Sequence, residues 1–89
     1  MKAVVTVVGK DRVGIIAAVC LELASYNVNV LDISQTVMQG YFTMMMVVEV
    51  SDCRVPLAEL CKAMDAKGVE MGLSIRVQRE DIFEAMHRV

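Results

Sequence analysis

The sequence predicts an α+β domain in which the elements follow the order strand, helix, strand, strand, helix, strand. Two observations carry this prediction. Short runs with apolar residues on one face or on both indicate strands, and two longer runs with apolar residues three and four positions apart indicate helices. The 89 residues suffice for one small domain, and 56% of them are hydrophobic, so a core can form at this size.

Turn and capping residues set the predicted boundaries of these elements. Asn27 is placed to end the first helix because asparagine tolerates the left-handed conformation, and Gln39-Gly40 is a two-residue hairpin signal. Pro56 suits the first turn of the second helix, and Gly68 is expected to end it. The predicted elements are strands over 2–8, 28–38, 41–50 and 69–78 and helices over 13–26 and 56–67.

The element order predicts how the strands are arranged. Two β-α-β units with right-handed crossovers give a four-stranded antiparallel sheet of order 4-1-3-2 with both helices on one face, the ferredoxin-like βαββαβ plait. We expect a single domain over 1–89, with a core over 2–78 and a short helical tail over 79–89. The opposite sheet face needs cover from that tail or from a second subunit, and it is expected to carry Met45, Val47, Leu31, Ile33 and Val37, or their alternates.

Composition argues against several classes of function. A net charge of −2 gives no basic surface for nucleic acid or an anionic membrane. The chain begins without signal-peptide anatomy, and no apolar run reaches the length of a membrane span. Cys20, Cys53 and Cys61 form no C-x-x-C pair, so we expect neither a metal site nor a disulfide framework. Reduced cysteines fit a cytoplasmic protein, and no cofactor is expected.

The loop Gly9-Lys10-Asp11-Arg12-Val13-Gly14-Ile15 joins the first strand to the first helix. A strand that enters a helix through such a loop directs backbone N–H groups and the positive helix end toward one spot, which favours an anion or a carboxylate. A purely structural interpretation is also open. Asp11 would then cap the helix, Gly9 would relieve the strand end, and Gly14 would let the helix lie close to the sheet.

The same loop resembles the G-x-D-R-P-G-[IL] motif of ACT domains, small modules that sense amino acids. Val13 stands where that motif usually has proline, and Asn29-Val30 is similar to the Asn-Ile that begins the second strand of ACT domains. The resemblance covers residues 2–78, and the segment Asn-Val-Asn-Val-Leu-Asp-Ile-Ser-Gln-Thr over 27–36 resembles small stand-alone ACT proteins of bacteria and archaea. A similar sequence occurs in the glycine-cleavage-system transcriptional repressor.

The resemblance implies a non-catalytic regulatory protein, at least a homodimer, that binds a small amino acid at a subunit interface. Such a protein would act by oligomerising, by binding a regulated protein partner, or as a free ligand-binding unit. It assigns ligand binding to Gly9, Lys10, Asp11, Arg12, Val13, Gly14, Ile15, Asn29 and Val30. Two alternatives remain open. One is an interaction module without a small ligand. The other is acylphosphatase-like hydrolysis through Arg12 and Asn29, although the chain's one histidine, His87, is placed as an ordinary surface residue.

Overall fold

The computed structural model describes residues 1–81, which form a four-stranded antiparallel sheet with two helices on one face. The elements are β1 (Lys2–Lys10), α1 (Ile15–Ser25), β2 (Asn29–Met38), β3 (Tyr41–Glu49), α2 (Leu57–Met71) and β4 (Ser74–Arg79). The order β2-β3-β1-β4 is the predicted order 4-1-3-2 read from the other edge, so the ferredoxin-like prediction is confirmed. Of the predicted tail helix, Glu80 and Asp81 have helical backbone, and the rest lies outside the described residues.

The core lies between the helices and one face of the sheet. Alternate residues of β1 and β3 point into it, because side chains along a strand alternate between faces. Met44 and Met46 are fully buried there, whereas Met45 between them is 39% exposed on the opposite face. The helices contribute large buried side chains that stabilise the fold by roughly 1.5–3 kcal/mol each: Ile15, Val19, Leu23, Leu60 and Met64.

The boundary between α2 and β4 differs from the prediction. Gly68 does not end α2; it is buried inside the helix, which continues to Met71 and ends at Gly72 with a φ of 71°. The physical reason is close packing, because a Cβ on Gly68 would lie 2.7 Å from the carbonyl oxygen of Leu73. Val69, predicted to begin the last strand, is therefore helical, and β4 begins only at Ser74.

Strand β2 also departs from simple alternation. A bulge lies between Val30 and Asp32, which pair with consecutive residues of β3, so Leu31 is an extra residue. Past the bulge, Ile33 pairs with Met46 and Val37 with Phe42, both of which face the helices. The expectation that Ile33 and Val37 lie on the helix-free face with Met45 and Val47 is therefore wrong.

The hairpin between β2 and β3 has the predicted turn. Gln39 and Gly40 have φ values of 53° and 81°, and positive values at both positions are the signature of a type I′ turn. The first helix ends as expected too, because Asn27 has a φ of 63° and its amide donates to the carbonyl of Ala24. The turn places the start of β3 beside the end of β1, where Lys10 pairs with Tyr41, and the end of β2 lies one strand further out.

Candidate ligand-binding site

Helix α1 begins with no side-chain cap among the described residues. Its N-cap is Gly14, whose φ of 91° lies in the left-handed region. Asp11 is three residues earlier, so the interpretation of Asp11 as the cap is wrong. The first-turn N–H groups of Ile15, Ile16 and Ala17 have no acceptor within the helix, and no acidic side chain lies in this turn. These N–H groups and the helix dipole make the start of α1 attractive to an anion.

The two glycines of the loop have different roles. A Cβ on Gly14 would meet nothing within 4 Å, so glycine is favoured here because of the positive φ and not because the helix packs closely against the sheet. Gly9 lies inside β1, which extends to Lys10 and not only to Val8. A Cβ on Gly9 would come within 2.3 Å of Leu73 Cδ2, so any larger residue here would require the Leu73 side chain to move.

A cavity of about 530 Å³ lies beside the start of α1. One wall is the loop and first turn of the helix, and the facing wall is the second half of β2 with one residue of β3. Its lining includes both charged or polar and apolar residues. The lining residues are Asp11, Arg12, Gly14, Ile15, Ile16, Ala17, Gln35, Thr36, Val37 and Phe42. A cavity of this size holds a molecule as small as an amino acid.

Two contacts fix the loop in place. The amide of Asp11 donates a hydrogen bond to the carbonyl oxygen of Gly40, at 2.8 Å, which ties the loop to the β2–β3 turn. On the other side, the Arg12 guanidinium donates to the carbonyl oxygen of Met71 in the last turn of α2. A cation is favourable at that end of a helix because the dipole is negative there. The loop is thus held between the hairpin and α2.

The structure brings together only part of the predicted site within one chain. Of the predicted segment from Gly9 to Ile15, the cavity is lined by Asp11, Arg12, Gly14 and Ile15. Gly9 and Lys10 belong to the strand, and Val13 is fully exposed; none of these three lines the cavity. Asn29 and Val30 lie at the opposite end of β2, roughly 20 Å along the strand from Gln35. A ligand on the loop therefore does not reach Asn29 of the same chain.

Sequence reasoning missed the β2 wall of the cavity. Gln35, Thr36, Val37 and Phe42 line it, yet no motif marks them. The signal was the hairpin itself: once Gln39-Gly40 reverses the chain, antiparallel pairing of β3 with β1 must bring the end of β2 near the loop that follows β1. That inference requires the sheet order as well as the turn.

The clear pKa shifts lie away from this cavity. The N-terminal ammonium, 2.7 Å from Glu49, and the Ser51 hydroxyl lower the pKa of the Glu49 carboxyl to about 2. Burial raises the pKa of the Cys61 thiol, which contacts the carbonyl oxygen of Val77. Within residues 1–81, no cluster of three potential metal ligands is present, and neither helix is long and apolar enough to span a membrane.

Comparison with known proteins now defines the class to which this fold and loop belong. The family model of the ACT domain matches residues 2–78, so the chain belongs to the ACT domain family. ACT domains are generally regulatory ligand-binding modules.

Relatives of this chain include small proteins of similar length and a longer one. A protein named UPF0237 protein from Methanosarcina acetivorans is 51% identical over 86 residues, which cover 97% of this chain and 94% of that one. The structure named ACT domain protein from Streptococcus pneumoniae is 46% identical, with a TM-score of 0.83 and coverage of 98% of both chains. A putative glycine cleavage system transcriptional repressor shares the fold at 22% identity and a TM-score of 0.73, over 86% of this chain and 44% of the repressor.

Proposed function

We propose that this protein is a non-catalytic sensor that binds a small amino acid in the cavity beside α1, at an interface between two copies of the chain. The amino-acid-bound form of the protein would then regulate a protein partner. The observation that carries the proposal is the first turn of α1, because Ile15, Ile16 and Ala17 line the cavity and no side chain in the described part of the chain caps this helix. The half-buried free cysteines suit a reducing compartment, so we place the protein in the cytoplasm.

The cavity suits the two charges of an amino acid. Its α-carboxylate would accept hydrogen bonds from the first-turn amides of α1, where the helix dipole adds attraction. Asp11, an exposed residue that lines the same cavity, would supply an acceptor for the ammonium group. The side chain would then face Ile16, Val37 and Phe42, an apolar wall that favours small uncharged side chains.

A second copy would complete the site. Strand β2 is an edge of the described sheet, and nine of its ten residues are exposed. Antiparallel pairing of two β2 strands about a twofold axis at their middle sets Val30 of the partner subunit opposite Val37. Asn29 of the partner subunit then approaches the loop, so the pairing would unite the two halves of the motif that one chain keeps apart.

Geometry argues against hydrolysis of an acyl phosphate. That reaction requires Arg12 and Asn29 to hold one phosphate, but within a chain they lie at different ends of the sheet. The Arg12 guanidinium also already donates to the carbonyl oxygen of Met71. We therefore assign Arg12 to positioning the loop rather than to an anion. Hydrolysis of acetyl phosphate by the purified protein, abolished in Arg12→Ala, would contradict this assignment.

A binding screen with a matched pair of variants tests the sensor. The wild-type protein is screened against the twenty amino acids by thermal shift and calorimetry, and a ligand at 100 times its Kd should add roughly 2.7 kcal/mol of stability. Ala17→Glu places a carboxylate at the third helical position, which stabilises a helix start and competes with the ligand carboxylate. Ala17→Gln has the same size without the charge.

We expect Ala17→Glu to weaken binding at least tenfold relative to Ala17→Gln while remaining folded. Equal binding by the two variants would place the ligand elsewhere. If no amino acid shifts the wild-type protein, the sensor proposal fails and an interaction module without a small ligand takes its place. The apolar β2 edge is the observation that favours that second candidate.

A further inference from the structure

On the sheet face opposite the helices, the side chain of Val4 is buried although it is not part of the described core. Val4 is 5% exposed, yet it does not belong to the core cluster formed by the sheet and both helices. Its cross-strand partners are Val47 and Gln78, which place it on the helix-free face. On the same face of the same strand, Val8 is 42% exposed. Something therefore shields this face of β1 from solvent near Val4 and not near Val8.

A shallow groove of about 160 Å³ crosses this part of the face. It passes over three neighbouring strands, and its surface is mostly apolar. Asp32 is the charged residue among those that line it, and its carboxylate is exposed. The lining residues are Val4, Asp32, Ser34, Met45 and Val47. A groove with an apolar floor and one acidic rim suits an apolar segment with a basic end.

We propose that residues 82–89 of the same chain dock in this groove and cover Val4. The chain leaves β4 at Arg79, which pairs with Ala3 directly beside Val4. The segment carries apolar Ile82, Phe83 and Met86 at spacings that would share one side of a helix. The proposal does not depend on any ligand of the cavity beside α1.

Length and charge favour this occupant over a second copy. Eight residues span about 12 Å as a helix, and two strand spacings measure about 10 Å. The segment therefore reaches from β4 across β1 to β3, where Met45 and Val47 lie. Its end carries Arg88, which has the sign that complements Asp32. A segment tethered at this distance also has a high effective concentration over the groove.

The first test compares two neighbouring substitutions in the full chain, Phe83→Ser and Glu84→Ser. We expect Phe83→Ser to lower the Tm and to raise the hydrogen exchange of amides around Val4, because the groove loses its apolar cover. Glu84→Ser should change neither. Equal behaviour of the two variants in both measurements would overturn the proposal.

The second test distinguishes cover by the same chain from cover by a second copy. Met45→Cys and Ala85→Cys, which keep the apolar residues of the segment, are combined in a protein whose native cysteines are replaced by alanine, and a short bismaleimide is added. We expect an intrachain cross-link, with monomer mass on a denaturing gel and, in mass spectrometry, one bismaleimide bound to both thiols of the chain. A cross-linked product of twice that mass, or none, would show that the groove belongs to another occupant. Loss of amino-acid binding would leave both results unchanged, so the two proposals fail separately.

Discussion

The two edges of the sheet are built differently. Strand β2 has ten residues with one charge, Asp32, and exposes Leu31, Ile33, Val37 and Met38 along its length. Strand β4 has six residues, two of them arginine. Edge strands that avoid pairing are short and charged, whereas long apolar edges pair. The comparison teaches that β2 is the edge suited to a second copy, and that β4 is suited to remain single.

Helix α2 reinforces this difference at β4. The Cys61 thiol on α2 contacts the carbonyl oxygen of Val77 at 3.4 Å, and Gly68 lets the helix lie against the chain that enters β4. Helix α1 leaves the corresponding side of β2 open, and the cavity beside α1 lies between them. One edge is thus covered by its helix, while the other borders the proposed ligand site.

The largest expected effect tests the attachment of α2 at the β4 edge. Gly68→Ala puts a Cβ 2.7 Å from the backbone oxygen of Leu73, which cannot move without shifting the start of β4. We expect a loss of about 2 to 3 kcal/mol in the free energy of unfolding, measured by urea denaturation. Gly72→Ala is the control, because it strains a φ of 71° in open space and should cost about 1 kcal/mol. Similar losses would contradict close packing as the cause.

The next effect concerns pairing of the β2 edge. Ile33→Lys gives β2 the kind of charge that β4 carries, and a twofold interface would hold two such lysines close together. We expect dimerisation to weaken at least a hundredfold, about 2.7 kcal/mol, in sedimentation velocity experiments. Ser74→Lys adds the same charge at the β4 edge and should leave the sedimentation coefficient unchanged. An Ile33→Lys protein that still sediments as a dimer would move the interface away from β2.

A smaller effect is expected at the loop that connects the two sides of the molecule. Arg12→Ala removes the donor to the Met71 carbonyl, so the loop beside β2 loses its tie to the end of α2. Because Arg12 is exposed, we expect a loss of about 1 kcal/mol in urea denaturation. Arg54→Ala, at another exposed arginine, is the matched control and should be neutral. A neutral Arg12→Ala would show that the Asp11–Gly40 hydrogen bond holds the loop alone.

The same comparison shows what could be predicted from the sequence. Local patterns gave the element order, the Gln39-Gly40 turn and the loop from Gly9 to Gly14. The predicted start of β4 is wrong, because Val69 fits both the alternating apolar pattern of a strand and the pattern of a helix. The close packing of Gly68 against Leu73 determines where α2 ends, and a local sequence pattern does not reveal that contact. Local patterns also cannot show packing between distant strands.

Local patterns were also insufficient to predict which face the side chains of β2 occupy and which residues complete the candidate site. The bulge at Leu31 reverses which face Ile33 and Val37 occupy, and a single extra residue is invisible to a period of two. The loop half of the candidate site could be predicted because its residues, from Asp11 to Ile15, follow one another closely in the sequence. The half formed by Gln35 and Phe42 has no motif of its own, and it follows only when the Gln39-Gly40 turn and the sheet order are considered together.

The smallest expected effect lies at the other end of β2, where Asn29 pairs with Glu49 of β3. The N-terminal ammonium and Ser51 lower the pKa of Glu49 from 4.5 to about 2 in the folded protein. The unfolded chain takes up this proton first, so the contribution of Glu49 to stability is fully present above pH 4.5. It is lost as the pH falls from there toward 2.

Glu49→Gln should therefore lower the Tm slightly at pH 7 and not at pH 2, in thermal melts across this range. Acetylation of the N-terminal amine removes the partner charge and should reduce the effect of Glu49→Gln at pH 7. A Tm difference between wild type and Glu49→Gln that stays constant from pH 7 to pH 2 would mean that the ion pair does not form. The Asn29 end of β2 would then rest on strand pairing alone.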